Sequence, residues 1–207
     1  MDHPELLALG AALCWALGSL FSARAASRMG TIGFNRVRLC FACSLLWLAV
    51  AVGGHWSPLG GSEAALLALS GLVGICIGDT ALFACMNRLG PRRSGVLFAC
   101  HALFSALLAW WFLGETLWGA ALVGSILLSA GVMVAVLWGR RDSEDHIWEA
   151  TRGRLVVGVV LGLTAALCQA LATLMVKPLM AAGFDPLAGS AVRLSAALCL
   201  HLLVWGL

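Results

Sequence analysis

Five stretches of this chain run for about eighteen residues or more without an Asp, Glu, Lys or Arg: 6–23, 39–62, 94–114, 116–139 and 155–176. A sixth, 64–87, is broken only by Asp79, and a seventh, from Leu187 to Leu207, only by Arg193 near its start. A helix rises about 1.5 Å per residue and the hydrocarbon core of a bilayer is about 30 Å thick, so about twenty apolar residues cross it. The runs fit that length, and none shows the alternation of a transmembrane barrel strand. Only 11% of the 207 residues are charged and 61% are hydrophobic, against about 25% charged in a soluble domain. A water-soluble globule of this size cannot hide so much apolar surface. A soluble enzyme, a disordered tail and a nucleic-acid module are excluded. The predicted fold is all-α: a polytopic transmembrane bundle with seven spans.

Basic residues gather in alternate connections: Arg24, Arg28, Arg36 and Arg38 after the first helix, Arg88, Arg92 and Arg93 after the third. The connection after the fifth holds Arg140, Arg141, Arg152 and Arg154. By the positive-inside rule these are cytoplasmic and the N-terminus is outside. Ala23-Arg24-Ala25 has the form of a signal cleavage site, but Asp2 and Glu5 stand where a signal carries positive charge, so the first helix is read as retained. The eight cysteines, Cys40-x-x-Cys43 included, sit in apolar runs with no histidine set beside them. They read as small packing residues, and no metal site is expected.

An internal repeat organises the chain. Residues 12–21, ALCWALGSLF, align with 166–175, ALCQALATLM, and Val37-Arg38-Leu39 aligns with Val192-Arg193-Leu194. Gly33-Phe34 and Gly183-Phe184 precede the tripeptides in both copies. A unit of five helices is odd in number, so its second copy enters the membrane from the opposite face, the inverted repeat of many secondary transporters. The predicted organisation is a first repeat of five helices over 1–138, a charged linker over 139–154, and the first two helices of a second repeat over 155–207. Completing that second repeat would give ten helices, so the sequence reads as truncated; if this length is natural, a homodimer would complete the bundle. Small residues recur at Gly10, Cys14, Gly18 and Ser22, at Gly71, Gly74 and Gly78, and at Thr164, Cys168 and Ala172. Such stripes let helix backbones approach closely in lipid.

Asp79 is the residue that points hardest to chemistry. A carboxylate near the middle of a spanning helix costs about 2.5–3.5 kcal/mol on insertion scales, so it should face the bundle interior with a partner. Asp79 and His101 lie at equal distances either side of Gly90 in the turn Arg88-Leu-Gly-Pro-Arg92-Arg93, which puts both about 16 Å from the turn and near the midplane. They are the candidate substrate or coupling pair; the alternative is structural, with Asp79 on Thr80 and His101 on Ser105. Arg38 and Arg193 are repeat equivalents that either snorkel to the interface or contact an anionic substrate. Trp15, beside the small stripe of the first helix, could stack on a ligand, and Ser19 one turn on completes the candidates. The sequence has no Walker loop, Gly-x-Ser-x-Gly elbow, HExxH or dinucleotide fingerprint, so no catalytic residue and no cofactor are expected.

The segment Leu66–Val134 resembles the EamA-type drug/metabolite transporter family. The resemblance is carried by Ser70-Gly71-Leu-Val-Gly74, Gly78-Asp79, Leu89-Gly90-Pro91, Ser94, Ala102-Leu-Phe-Ser-Ala106, Leu113-Gly114-Glu115, and Gly124 with Gly131. The first helix, with Ala12-Leu-Cys-Trp15-Ala-Leu-Gly18, also fits the family's opening; Ala102 stands where the family often has Pro. The resemblance implies a ten-helix inner-membrane carrier of two inverted repeats that moves small metabolites, amino acids among them, often outward. The expected partners are therefore a small-molecule substrate and the lipid bilayer, with no nucleic acid. The competing reading is a membrane-embedded enzyme using Asp79 and His101 on a lipid, which the short, motif-poor loops disfavour. A seven-helix retinal protein lacks its Schiff-base Lys in the last helix.

Overall fold

The computed structural model describes residues 4–114, 118–138 and 154–206. The linker expected over 139–154 and Glu115 of the Leu-Gly-Glu turn lie outside the described residues, apart from Arg154. Helices follow one another as α1 (Pro4–Met29), α2 (Thr31–Gly53), α3 (Gly61–Gly71), a π-helix (Leu72–Asp79), α4 (Thr80–Leu113), α5 (Ala120–Trp138), α6 (Leu155–Ala181) and α7 (Pro186–Trp205). There is no strand among the described residues. Five stretches are long and apolar enough to cross a membrane: Leu9–Met29, Thr31–Gly53, Gly61–Leu113, Leu155–Ala181 and Pro186–Val204.

The third of these is folded back on itself. Gly90 takes φ 81° and ψ 166°, a conformation outside the helical region, and Pro91 follows it. A side chain with a Cβ strongly disfavours that backbone, so glycine is what permits the break. Ser94 Oγ then donates a 3.1 Å hydrogen bond to Cys85 Sγ, nine residues away. In a straight helix those residues would stand about 13 Å apart along the axis. The chain therefore reverses at Gly90, as the turn in the sequence predicts. The second predicted span starts earlier than its charges suggest: α2 begins at Thr31, so Arg36, read as belonging to a loop, is on the helix, together with Arg38.

Small residues line much of the packing beside buried Leu39, Leu67, Leu89 and Leu97, and many large apolar side chains face outward. Ala165, Ala166, Ala170 and Ala172 of α6 are fully buried, whereas Phe21 is 75% and Val52 80% exposed. Lipid offers no hydrophobic drive between helices, so close backbone approach does that work. Two of the predicted small stripes meet: a Cβ on Gly74 would stand 2.6 Å from that of Ala172, and one on Gly78 3.1 Å from that of Cys168. Ser70 Oγ adds a 2.9 Å hydrogen bond to the Ala172 carbonyl. Gly10 and Gly18 of α1 meet nothing within 4 Å.

Two sets of contacts fix the ends of the bundle. Asn87, just before the Gly90 turn, donates to Thr31 Oγ1 at 2.9 Å and to the Ala26 carbonyl at 3.3 Å, beside the α1–α2 junction. At the other end of α2, His55 Nδ1 lies 2.7 Å from Asp185 Oδ2, and the Asp185 backbone N–H donates to Ser57 Oγ at 3.1 Å. The α2–α3 and α6–α7 connections thus share one end, and the α1–α2 junction and the Gly90 turn share the other.

Candidate functional site

The site is built where α2, the π-helix and α7 cross. A π-helix closes i→i+5 hydrogen bonds and recurs at functional positions. Its eight residues end on Asp79, with Gly74, Cys76 and Gly78 buried along it. A helix interior normally offers a carboxylate no partner. Here α2 brings one: an Arg38 Nη2 hydrogen-bonds and ion-pairs with Asp79 Oδ2. The Arg38 guanidinium also lies 5.2 Å from the centroid of the Phe83 ring, a cation–π contact that covers its apolar side.

From that pair a polar chain runs across three helices. Arg38 Nε and Nη2 donate to Asn35 Oδ1, one turn back on α2, at 3.3 and 3.1 Å. The Asn35 amide nitrogen donates to Thr80 Oγ1 at 3.1 Å and lies 3.1 Å from His201 Nε2 on α7. Thr80 Oγ1 is also 3.1 Å from His201 Nε2. Since the Asn35 amide can only donate there, His201 Nε2 accepts, which puts the ring proton on Nδ1. Asn35 and His201 are both fully buried. With its oxygen on Arg38 and its nitrogen on Thr80 and His201, Asn35 holds the guanidinium against the carboxylate.

Arg193 completes the cluster. Arg38 and Arg193 are each the eighth residue of their helices, which begin at Thr31 and Pro186. Arg193 also acts electrostatically on Asp79. Its Nη2 lies 3.6 Å from the point where a Cβ on Gly74 would stand. Two arginines, at matching positions of α2 and α7, therefore act on a single acid.

The depth argument pairs Asp79 with His101; in the structure the ion-pair partner of Asp79 is Arg38. His101 Nδ1 instead donates to the Phe98 carbonyl of its own helix at 3.0 Å, not to Ser105. The His101 ring lies 5.3 Å from that of Phe98, on which Trp15 stacks at 5.3 Å and 11°. Trp15 and His101 are thus joined through Phe98 into an aromatic cluster between α1 and α4. Ser19 Oγ donates to the Ala16 carbonyl at 2.7 Å within α1. Asn35, Thr80 and His201 carry much of the polar chain; of these the sequence points only to Thr80, as a structural partner for Asp79. The one-turn spacing of Asn35 and Arg38 was a usable signal; His201, alone in an apolar run, gave none.

Apolar helices of membrane length around an interior ionic cluster define a polytopic membrane protein with a polar site in its core. Residues 4–137 match the EamA-like transporter family, and the chain belongs to that family. It is 30% identical over 159 residues to the threonine/homoserine exporter RhtA of two strains of Salmonella typhimurium, an alignment covering 70% of this chain and 50% of each relative. The chain spans about half the length of these curated relatives. No solved structure gives a significant match.

Proposed function

We propose that this chain is a carrier subunit for small metabolites, working by alternating access at a midplane site formed by Asp79, Arg38 and their neighbours. The observation that carries the reading is the Arg38–Asp79 ion pair inside membrane-length helices. Ionisable residues at that depth are costly and generally mark a substrate or ion path. Protonating Asp79, or offering Arg38 another anion, would dissolve the pair that ties α2 to the π-helix. That gives a substrate or a proton leverage over how two helices pack, which alternating access requires.

The bundle's ends support an inverted arrangement. The α6–α7 connection meets the α2–α3 connection through His55 and Asp185, while α1 ends beside Thr31 at the opposite end of α2. Counting the hairpin at Gly90 as two spans raises the five stretches to six, and counting α5 (Ala120–Trp138) as well makes seven, five in the first repeat and two in the second. The RhtA relatives are named exporters of threonine and homoserine, which favours small amino acids moving outward across a bacterial-type inner membrane. Trp15, His101 and Ser19 fall to a secondary role on this reading, as the α1–α4 side of the path.

The test is flux of radiolabelled threonine and homoserine in everted and right-side-out vesicles holding the 207-residue chain. Asp79→Asn should cut substrate-driven flux by about tenfold or more, because removing one charge of an interior pair leaves the other uncompensated. Ser44→Ala, whose hydroxyl bonds only the Cys40 carbonyl of its own helix, should behave as wild type. Undiminished flux in Asp79→Asn, with its pH dependence intact, would remove the carboxylate from the mechanism. Turnover of a lipid by the chain in micelles would favour the enzyme reading instead.

A further inference from the structure

The cluster holds two guanidinium groups and one carboxylate. Among the described residues the other acidic side chains are Glu5 and Glu63 in the first turns of α1 and α3, and Asp185 at the N-cap of α7. Asp79 is engaged by Arg38 through both a hydrogen bond and an ion pair, and Arg38 Nε and Nη2 also donate to Asn35. Arg193 is different: its Nε is buried and makes no hydrogen bond. A half-buried guanidinium whose Nε is buried without a partner, and which makes no ion pair of its own among the described residues, is costly unless something else supplies negative charge.

The surroundings of Arg193 hold it in place without pairing it. Its backbone is pressed against the helix that bears Asp79: a Cβ on Gly71 would stand 2.1 Å from the Arg193 carbonyl oxygen. One turn on, its Nη2 and the Gln169 Oε1 approach the same point over Gly74, at 3.6 and 3.7 Å from where a Cβ would be. The Cβ of Ala172 stands nearer still, at 2.6 Å, so only glycine fits at 74. Gln169 is the repeat equivalent of Trp15, so the second copy has a polar amide where the first has an indole. A planar guanidinium fork matches a carboxylate, which accepts two parallel N–H bonds.

We propose that Arg193, with Gln169 beside it over Gly74, is the anchor for the carboxylate of a small-molecule substrate. The ligand class is small organic carboxylates, amino acids included, rather than cations or neutral compounds. The bound carboxylate supplies the second negative charge and brings the cluster to two cations and two anions. This rests on the transporter reading for its physiological sense but is tested by binding alone.

Purified full-length chain in detergent is titrated with a panel of small amino acids and with their carboxamides, following tryptophan fluorescence. The wild type should bind the acids better than the amides by roughly tenfold or more, the scale of hydrogen bonds to a charged group. Arg193→Gln should weaken the acids to the level of the amides and leave the amides unchanged. Should that variant not fold, Arg193→Lys, which keeps the charge and loses the fork, should weaken the acids alone. Acids and amides bound equally by the wild type, or weakened equally by the substitutions, would overturn the anchor. Selective binding of the acids without flux in vesicles would support the anchor and sink the transporter reading; equal flux of acids and amides would do the reverse.

Discussion

A methyl group on residue 71 would stand 2.1 Å from the Arg193 carbonyl oxygen and one on residue 10 would meet nothing within 4 Å, so the two glycines are not equivalent although both lie in predicted small stripes. Gly71→Ala must push α7 off the π-helix side of α3, and overpacking of this kind costs about 1–3 kcal/mol. Gly10→Ala relieves a helix of a poor helix former, a gain of up to about 1 kcal/mol. Thermal unfolding in detergent should show Gly71→Ala well below wild type and Gly10→Ala at or above it. The stripes were legible in the sequence because small residues at helical spacing have few other uses in lipid. Asp79 was legible because a lone acid in an apolar run is conspicuous. Its partner was not. Arg38 comes from a different helix, 41 residues away in sequence, and Thr80 and Asn35 reach His201 over sequence separations of 121 and 166 residues. A hairpin-depth argument sees only neighbours along the chain, so it chose His101.

At the scale of the element, the π-helix and the α7 cap were invisible to periodicity for different reasons. The π-helix alters the turn by a fraction of a residue over Leu72–Asp79, too little to shift an all-apolar pattern that has no polar side to compare. The cap needed the partner loop. Asp185 Oδ1 accepts from the backbone N–H groups of Leu187 and Ala188 at 2.8 and 3.1 Å, and its Oδ2 faces His55. The Ala188 N–H foremost, joined by His55 and the Leu187 N–H against an opposing desolvation, holds the Asp185 carboxyl below the ordinary carboxylate range. A depressed folded value means its stabilising contribution is fully present above that range and is lost as pH falls through the folded value. The thermal midpoint of the wild type should therefore drop on acidification below the ordinary carboxylate range. In Asp185→Asn, which keeps the cap acceptor but cannot titrate, that part of the acid-induced drop should be missing. An identical pH profile in the two proteins would show that this cap and its histidine contact add nothing to stability.

On the scale of the whole molecule, the number of apolar runs was plain from charge spacing, and the reversal at Gly90 followed from Gly and Pro in a basic turn. Which faces those runs present to each other was not, since nearly every residue in them is apolar and lipid-facing and core-facing positions differ in size rather than polarity. The proposed inverted repeat is the broadest claim: it predicts that α1 and α6 cross in opposite senses, with Arg38 and Arg193 approaching one carboxylate from its two copies. The most direct measurement is labelling by a membrane-impermeant maleimide of single cysteines at Met29 and Ala182, where α1 and α6 end, with the native cysteines replaced. The expected result is that Ala182→Cys reacts in intact cells and Met29→Cys only after permeabilisation. Reaction of both from the same side would contradict the inverted repeat and, with it, a site shared between its two copies.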